Sequence, residues 1–198
     1  MADNIVRHQN TNFNAIRLSA IGANYTGHRL SGNKVTLNGS SGGILVAGIS
    51  SGKFIGFGMS GDFVNGTTNG TAVFLSDITN SQITGISTLS NSAALVVNNC
   101  PRIRFTCSSF ESTQTVNPAV VFTGSSPSSV FDESNEIVGR TENNASSGVL
   151  VSRYDDSVPP LGIAAAGDRV IRRIPVVGQP KGWRCTSAPG TWVSEGNL

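Results

Sequence analysis

The chain has 198 residues, a formal net charge of +2, 38% hydrophobic and 13% charged residues; this suits one or two compact domains, with about half the usual charged share. Gly, Ser, Thr and Asn fill 83 positions, and no window carries Ala, Leu, Glu, Lys and Arg at a 3.6-residue period, which excludes an all-α fold. No apolar run approaches the roughly 18 residues of a membrane-crossing helix, and the opening Met1 to His8 lacks the basic and apolar regions of a secretory signal, so neither export nor membrane insertion is expected.

Residues 1–41 are polar, with alternating pieces at Ala15-Ile16-Arg17-Leu18 and Lys34-Val35-Thr36-Leu37. They read as opening strands and a cap or attachment segment. His8 and His28 both fall here, and neither has a context for Ser-His-Asp hydrolysis.

Residues 42–158 read as a parallel β-helix, and within them residues 42–140 hold a loose internal repeat. Its apolar runs are Gly43-Ile44-Leu45-Val46, Ala72-Val73-Phe74-Leu75, Ala94-Leu95-Val96-Val97 and Ala119-Val120-Val121-Phe122. Measured from Leu45, Val73, Leu95 and Val120, they recur at intervals of roughly 20–30 residues, each about one turn of a parallel β-solenoid. A second strand per turn is expected at Phe54-Ile55-Gly56-Phe57, Ile83-Thr84-Gly85-Ile86, Ile103-Arg104-Phe105 and Val130-Phe131, with turn formers between the two. One such turn cannot bury its own apolar face, so stacking is the route to a continuous core. An antiparallel sandwich also alternates strands with polar turns, but usually every 8–12 residues. Stacking also gives asparagines a role at repeated corners, which fits Asn80 and one of Asn98 or Asn99. The runs ending in Val97 and Phe122 are continuous, so their outward side chains need cover too, and identical neighbours would supply it.

Several motifs carry little chemistry. Gly56-Phe57-Gly58-Met59-Ser60-Gly61 has the spacing G-x-G-x-x-G but runs into Asp62-Phe63-Val64-Asn65 with no helical pattern, so its glycines read as tight corners. Three cysteines cannot all pair and stand at no zinc spacing; they read as reduced and mostly buried. No metal and no cofactor is expected. Glycoside cleavage needs only two carboxyl groups about 5–9.5 Å apart, and adjacent solenoid turns lie about 4.8 Å apart. Asp77, Glu111, Asp132, Glu133, Asp155 and Asp156 are the acids available for it. None stands in a motif, and acids beside polar loops are mostly solvated surface, so no catalytic residue is assigned, with Asp77, Glu111 and Asp132 kept as candidates.

After Val158-Pro159-Pro160 breaks the chain, residues 159–198 form a distinct C-terminal piece that holds both tryptophans. It reads Gly167-Asp168-Arg169-Val170, then Gly182-Trp183-Arg184-Cys185-Thr186, then Pro189-Gly190-Thr191-Trp192. Strands and turns are expected. Trp183 and Trp192 serve either as its packed centre or as sugar-stacking surfaces. Its cations Arg169, Arg172, Arg173, Lys181 and Arg184 face only Asp168 and Glu195, which fits packing between subunits or contact with an acidic glycan better than nucleic-acid binding.

These three motifs, which lie between Gly167 and the C-terminus, resemble the ending of bacteriophage tail spikes and fibres with a pectate-lyase-like fold. The resemblance implies a short, right-handed, trimeric parallel β-helix on a virion, with a C-terminal β trimerisation or tip element in which Trp183, Trp192, Arg173 and Arg184 form the trimer or touch carbohydrate. Such endings occur on proteins that cleave polysaccharide and on others that only bind it; the reading preferred here is receptor binding, adhesion to host surface polysaccharide without cleavage, with the N-terminal segment meeting other virion proteins. A polysaccharide depolymerase and a capsid-decorating head fibre are the alternatives.

Overall fold

A computed structural model of the chain describes residues 2–8, 14–38, 42–66, 70–144, 146–155 and 162–197. Every regular element among them is a β-strand, and the strands stack as a parallel β-solenoid of about five coils. After β1 (Ile5–His8), the first coil comprises β2 (Ile16–Ile21), β3 (Tyr25–Thr26), β4 (Arg29–Ser31) and β5 (Lys34–Leu37). The second comprises β6 (Ile44–Ile49), β7 (Phe54–Ile55), β8 (Gly58–Ser60) and β9 (Phe63–Gly66). The third comprises β10 (Val73–Ser76), β11 (Ile78–Thr79), β12 (Ser81–Thr84) and β13 (Ser87–Ser90). The fourth has β14 (Leu95–Asn98), β15 (Ile103–Thr106) and β16 (Ser109–Ser112), and the fifth β17 (Pro118–Thr123), β18 (Ser129–Phe131) and β19 (Glu136–Val138). Then come β20 (Arg140–Asn143), β21 (Val149–Tyr154), β22 (Gly162–Ile163), β23 (Arg169–Ile171), β24 (Gly182–Ser187) and β25 (Thr191–Ser194).

Three long sheets run down the stack. Face I is β2-β6-β10-β14-β17-β20-β22, face III is β1-β5-β9-β13-β16-β19, and face II is β4-β8-β12-β15-β18-β21, which continues into β23-β24-β25. A short fourth sheet, β3-β7-β11, belongs to the first three coils. On face I, Ile16, Ile44, Val73, Leu95, Val120 and Thr141 share one row. Val73, Leu95 and Val120 thus stack as their spacing predicts. The preceding run is displaced by one position, because Val73 pairs with Ile44 and not Leu45; β6 is apolar or small throughout, with no alternation to fix its phase. The pieces around Ile16 and Val35 are strands of a full coil in register with the rest. Phe54–Ile55 is corrected in its partner: it lies in the short sheet, and the residue stacked on Ile83 is Met59 of β8.

The core is a set of axial rows. Leu30, Met59, Ile83, Phe105, Phe131 and Val151 stack in register on face II, all buried. Phe131 lies 5.7 Å from Phe105, 5.5 Å from Phe110 and 5.8 Å from Phe122, ring centre to ring centre. These four rings fill the fourth and fifth coils, which have no strand in the short sheet.

Corners carry polar columns. Between faces II and III, Asn4, Asn33, Asp62, Ile86, Ser108 and Asn135 occupy successive coils in register. Within the column a backbone N–H donates to the side chain of the next coil: Asn33 N to Asp62 Oδ1 at 2.9 Å, Ile86 N to Ser108 Oγ at 3.2 Å, Ser108 N to Asn135 Oδ1 at 3.1 Å. Asn33 Nδ2 also donates to Asp62 Oδ1 at 2.6 Å. Ile86 interrupts the column, and Asp62 Oδ2 is buried with no partner among the described residues. Burial pushes the Asp62 carboxyl up from its ordinary range, against its hydrogen bonds from Asn33, which lower it. The asparagines expected to share a corner are on different ones. Asn98 Nδ2 donates to Ser76 Oγ at 3.3 Å and its Oδ1 accepts from Thr123 Oγ1 at 3.2 Å, whereas Asn80 Oδ1 accepts from Arg102 Nε at 2.6 Å. A neighbouring column, Gly32, Gly61, Gly85 and Cys107, has φ of 64°, 64°, 61° and 49°. That left-handed corner accounts for the last glycine of the G-x-G-x-x-G spacing. Cys107 is exposed there, while Cys100 and Cys185 are buried, and all three thiols are free. Burial pushes the Cys100 thiol up to about 12.

Two outcomes follow. Replacing Phe131 with Ala empties the ring cluster and should cost about 3–5 kcal/mol in urea unfolding; a loss below about 1 kcal/mol would show that the cluster is not tightly packed. Asp62 holds its proton more tightly folded than unfolded, so its contribution to stability is present below the ordinary carboxylate range and is lost as pH rises through the raised value. Asp62→Asn removes that loss: its melting temperature should match wild type near about pH 4 and exceed it by roughly 2–4 °C near about pH 7. An equal difference at both pH values would show that Asp62 does not titrate in the fold.

Candidate functional site

The path from face I to face II shapes a groove on the surface. It is long from Ile16 to Arg29 and from Ile44 to Gly58, and markedly shorter from Val73 to Gln82 and from Leu95 to Arg104. The first two coils therefore project as a shelf, built on β3 and β7, over the narrower coils that follow. Where the perimeter steps in lies a groove of about 720 Å³, lined by Arg29, Gly56, Phe57, Gly58, Asn80, Ser81, Gln82, Arg104 and Thr106. Phe57 N donates to Ser81 Oγ at 2.9 Å, joining shelf to floor.

Register orders the floor. Arg29, Gly58, Gln82 and Arg104 form one outward row of face II, and Ser31, Ser60, Thr84 and Thr106 lie on the row two positions on. Thr106 Oγ1 donates to Thr84 Oγ1 at 3.1 Å. Gly58 opens a slot in the first row: a side chain there would meet Arg29 Nη1 at 2.9 Å. On the shelf, Tyr25 packs against His28 at 5.7 Å and against Phe54 at 6.0 Å, and Phe54 packs against Phe57 at 5.9 Å. Tyr25 is 41% exposed and His28, next to Arg29 in the chain, is exposed, so the shelf carries an exposed aromatic edge. Arg104 Nη2 pairs with Asp132 Oδ2 at 3.3 Å beyond the lining.

The candidate acids are dispersed. Asp77 sits at the corner after β10, in line with Gly48 and Asn99, and its Oδ2 accepts from Ser76 Oγ at 2.6 Å. Glu111 is on face III with Leu89 and Val138 as its axial neighbours. Asp132 follows β18 in line with Thr106 and Ser152, and besides Arg104 it accepts from Ser134 N at 3.1 Å and from Ser134 Oγ. None of the three stacks on a second acid among the described residues. Glu133 is exposed, Asp155 pairs with Arg153 at 3.2 Å, and Asp156 lies outside the described residues. No three side chains of His, Cys, Asp or Glu gather among the described residues.

The C-terminal motifs converge. β23 runs parallel to β21, β24 pairs antiparallel with β23, and β25 with β24, which places Val170 opposite Trp183 and Cys185 opposite Trp192. Trp183 is 6% exposed, with the Arg172 guanidinium 5.1 Å from its ring; Trp192 is half-buried and Arg184 exposed, opposite Arg169. Arg169 Nε donates to Glu195 Oε2 at 2.8 Å. Arg173 is exposed and lines a groove of about 390 Å³ with Glu136, Tyr154 and Asp155. Asp168 fastens this sheet to the solenoid. Its carboxylate accepts from Val151 N at 3.0 Å, Ala165 N at 2.9 Å and Asn143 Nδ2 at 2.9 Å to each oxygen, buried beside Arg153. Burial pushes Asp168 up and Arg153 down from their ordinary values, more than their mutual attraction offsets.

Compared with protein-family models, curated proteins and solved structures, the chain gives no match. The groove residues Arg29, Gly58, Gln82 and Thr106 escape sequence reading because they come from four coils; only the register brings them together.

Replacing Asp168 with Ala strands the buried Val151 and Ala165 N–H groups, while Asn143 keeps Val149 O and Arg153 keeps Asp155, and should cost about 2–4 kcal/mol. Limited proteolysis should then clip the C-terminal sheet before the coils; unchanged protection would remove Asp168 from this fastening role.

Proposed function

We propose that this protein is a bacteriophage virion component, a homotrimeric right-handed β-helix spike or fibre subunit that holds host surface polysaccharide in the face II groove without cleaving it. The observation that carries this reading is the groove itself: hydroxyls, an amide and guanidinium groups at regular axial spacing, under a shelf with an exposed Tyr25–His28 edge. This combination suits a hydroxyl-rich chain that offers polar groups at its rim and C–H groups on its ring faces. None of Asp77, Glu111 and Asp132 stacks on a second acid among the described residues, which supports binding over cleavage at those three, since glycosidases need two carboxyl groups about 5–9.5 Å apart.

Face I supports the oligomer. Leu45, Phe74, Val96 and Val121 form one outward row of half-buried apolar side chains. Three parallel copies would cover that row, and three grooves would raise a weak single-site affinity. The resemblance of the C-terminal motifs to phage spike endings supplies the number three and the virion setting.

Light scattering should return three times the chain mass, and capsule or lipopolysaccharide from the host should retain the protein with no new reducing ends. A monomer would overturn the trimer, and released sugar ends would replace adhesion with depolymerisation.

A further inference from the structure

We infer that the face II groove selects an anionic polysaccharide, bearing carboxylate or phosphate groups, laid along the solenoid axis. The inference rests on the glycan-binding reading above and specifies its ligand.

Charge in the groove is of one sign. Of its nine lining residues, Arg29 and Arg104 are cationic and none carries a carboxyl group. Asn80, also in the lining, is held by Arg102 Nε at 2.6 Å, which brings a third guanidinium to the margin. The chain as a whole is only +2, so this is a local concentration of positive charge, and a neutral sugar would hydrogen-bond these groups without balancing their charge. Guanidinium forks match carboxylate and phosphate oxygens in geometry and charge. Asp132 holds Arg104 from outside the groove, with the Arg104 side chain still 65% exposed, so that pair orients the guanidinium while leaving it accessible.

Direction follows from register. Arg29 and Arg104 are three rungs apart in one row, roughly 14 Å at the spacing of a parallel stack. Between them lie the Gly58 slot and Gln82, and alongside runs the hydroxyl row Ser60, Thr84 and Thr106. A pyranose in an extended chain advances by about one rung, so a linear polymer parallel to the axis meets a polar group at each step and a cation at each end. A nucleic acid would need a series of exposed aromatic platforms for its bases; Tyr25 and His28 form a single edge at one end.

The test uses the full-length protein and immobilised polygalacturonate, alginate and hyaluronate, each beside its carboxyl-reduced form, with dextran and single-stranded DNA as further arms. At least one acidic polymer should bind about tenfold or more tightly than its reduced form, and binding should weaken as salt rises from about 0.1 to about 0.5 M. Arg29→Ala and Arg104→Ala should each lose about tenfold, the loss of one charge-assisted contact. Gly58→Leu should close the slot with similar effect, since the added side chain first meets the far end of the flexible Arg29 side chain. Lys34→Ala, an exposed cation on face III, should bind as wild type, and circular dichroism melts should confirm that all four variants fold. Equal binding of acidic and reduced polymers, or loss with none of the groove variants, overturns the anionic assignment and leaves glycan adhesion standing. Binding of no polysaccharide overturns both. DNA binding as tight as that of the best acidic polymer replaces the glycan with a nucleic acid.

Discussion

Each coil lies on the next in parallel register, and that alignment governs everything else in the molecule. A residue's neighbours above and below are those in the same row of adjacent coils, so chemistry repeats along the axis at the spacing of hydrogen-bonded strands. An apolar row becomes part of the core, as from Leu30 to Val151 on face II. A polar row at a corner becomes a chain of bonds from backbone to side chain. One mismatch in a row is felt by its neighbour: with Ile86 next to Asp62 in the column, a buried carboxylate oxygen is left unpartnered among the described residues.

Coil length is the second variable. Because the rows are fixed, chain gained or lost between two faces appears as a bulge or a recess, and the path from face I to face II contracts between the second and third coils. The short sheet runs one coil beyond that contraction, to β11, and the groove lies under the shelf where the path shortens. A single shortening of the chain thus shapes the candidate site.

Much of the solenoid is legible in the sequence because its apolar runs are short, recur at nearly one coil length and are separated by turn formers. Val73, Leu95 and Val120 align on spacing alone. Leu45 falls out of register by one because β6 lacks alternation, and Phe54 belongs to a different sheet from the one its spacing suggests because long and short coils look alike in the sequence. The corner column of Asn4, Asn33 and Asn135 is hidden, since Asp62, Ile86 and Ser108 interrupt it and its members are unevenly spaced. Face II is harder still. Its groove depends on Gly58, an absence of side chain, and on polar residues whose types are common throughout this chain. The tryptophans stand out by size, yet Trp183 is buried beneath Arg172.

The switch from parallel to antiparallel pairing at β23 to β25 bears on growth of the stack. A parallel solenoid that ended on a bare coil would offer a ready template to the first coil of another molecule and so invite filaments. Among the described residues face II instead runs past faces I and III by the hairpin of β24 and β25, whose outer strand turns back to the direction of the coils, so the first coil of another molecule would meet one short projecting strand there and not a whole coil.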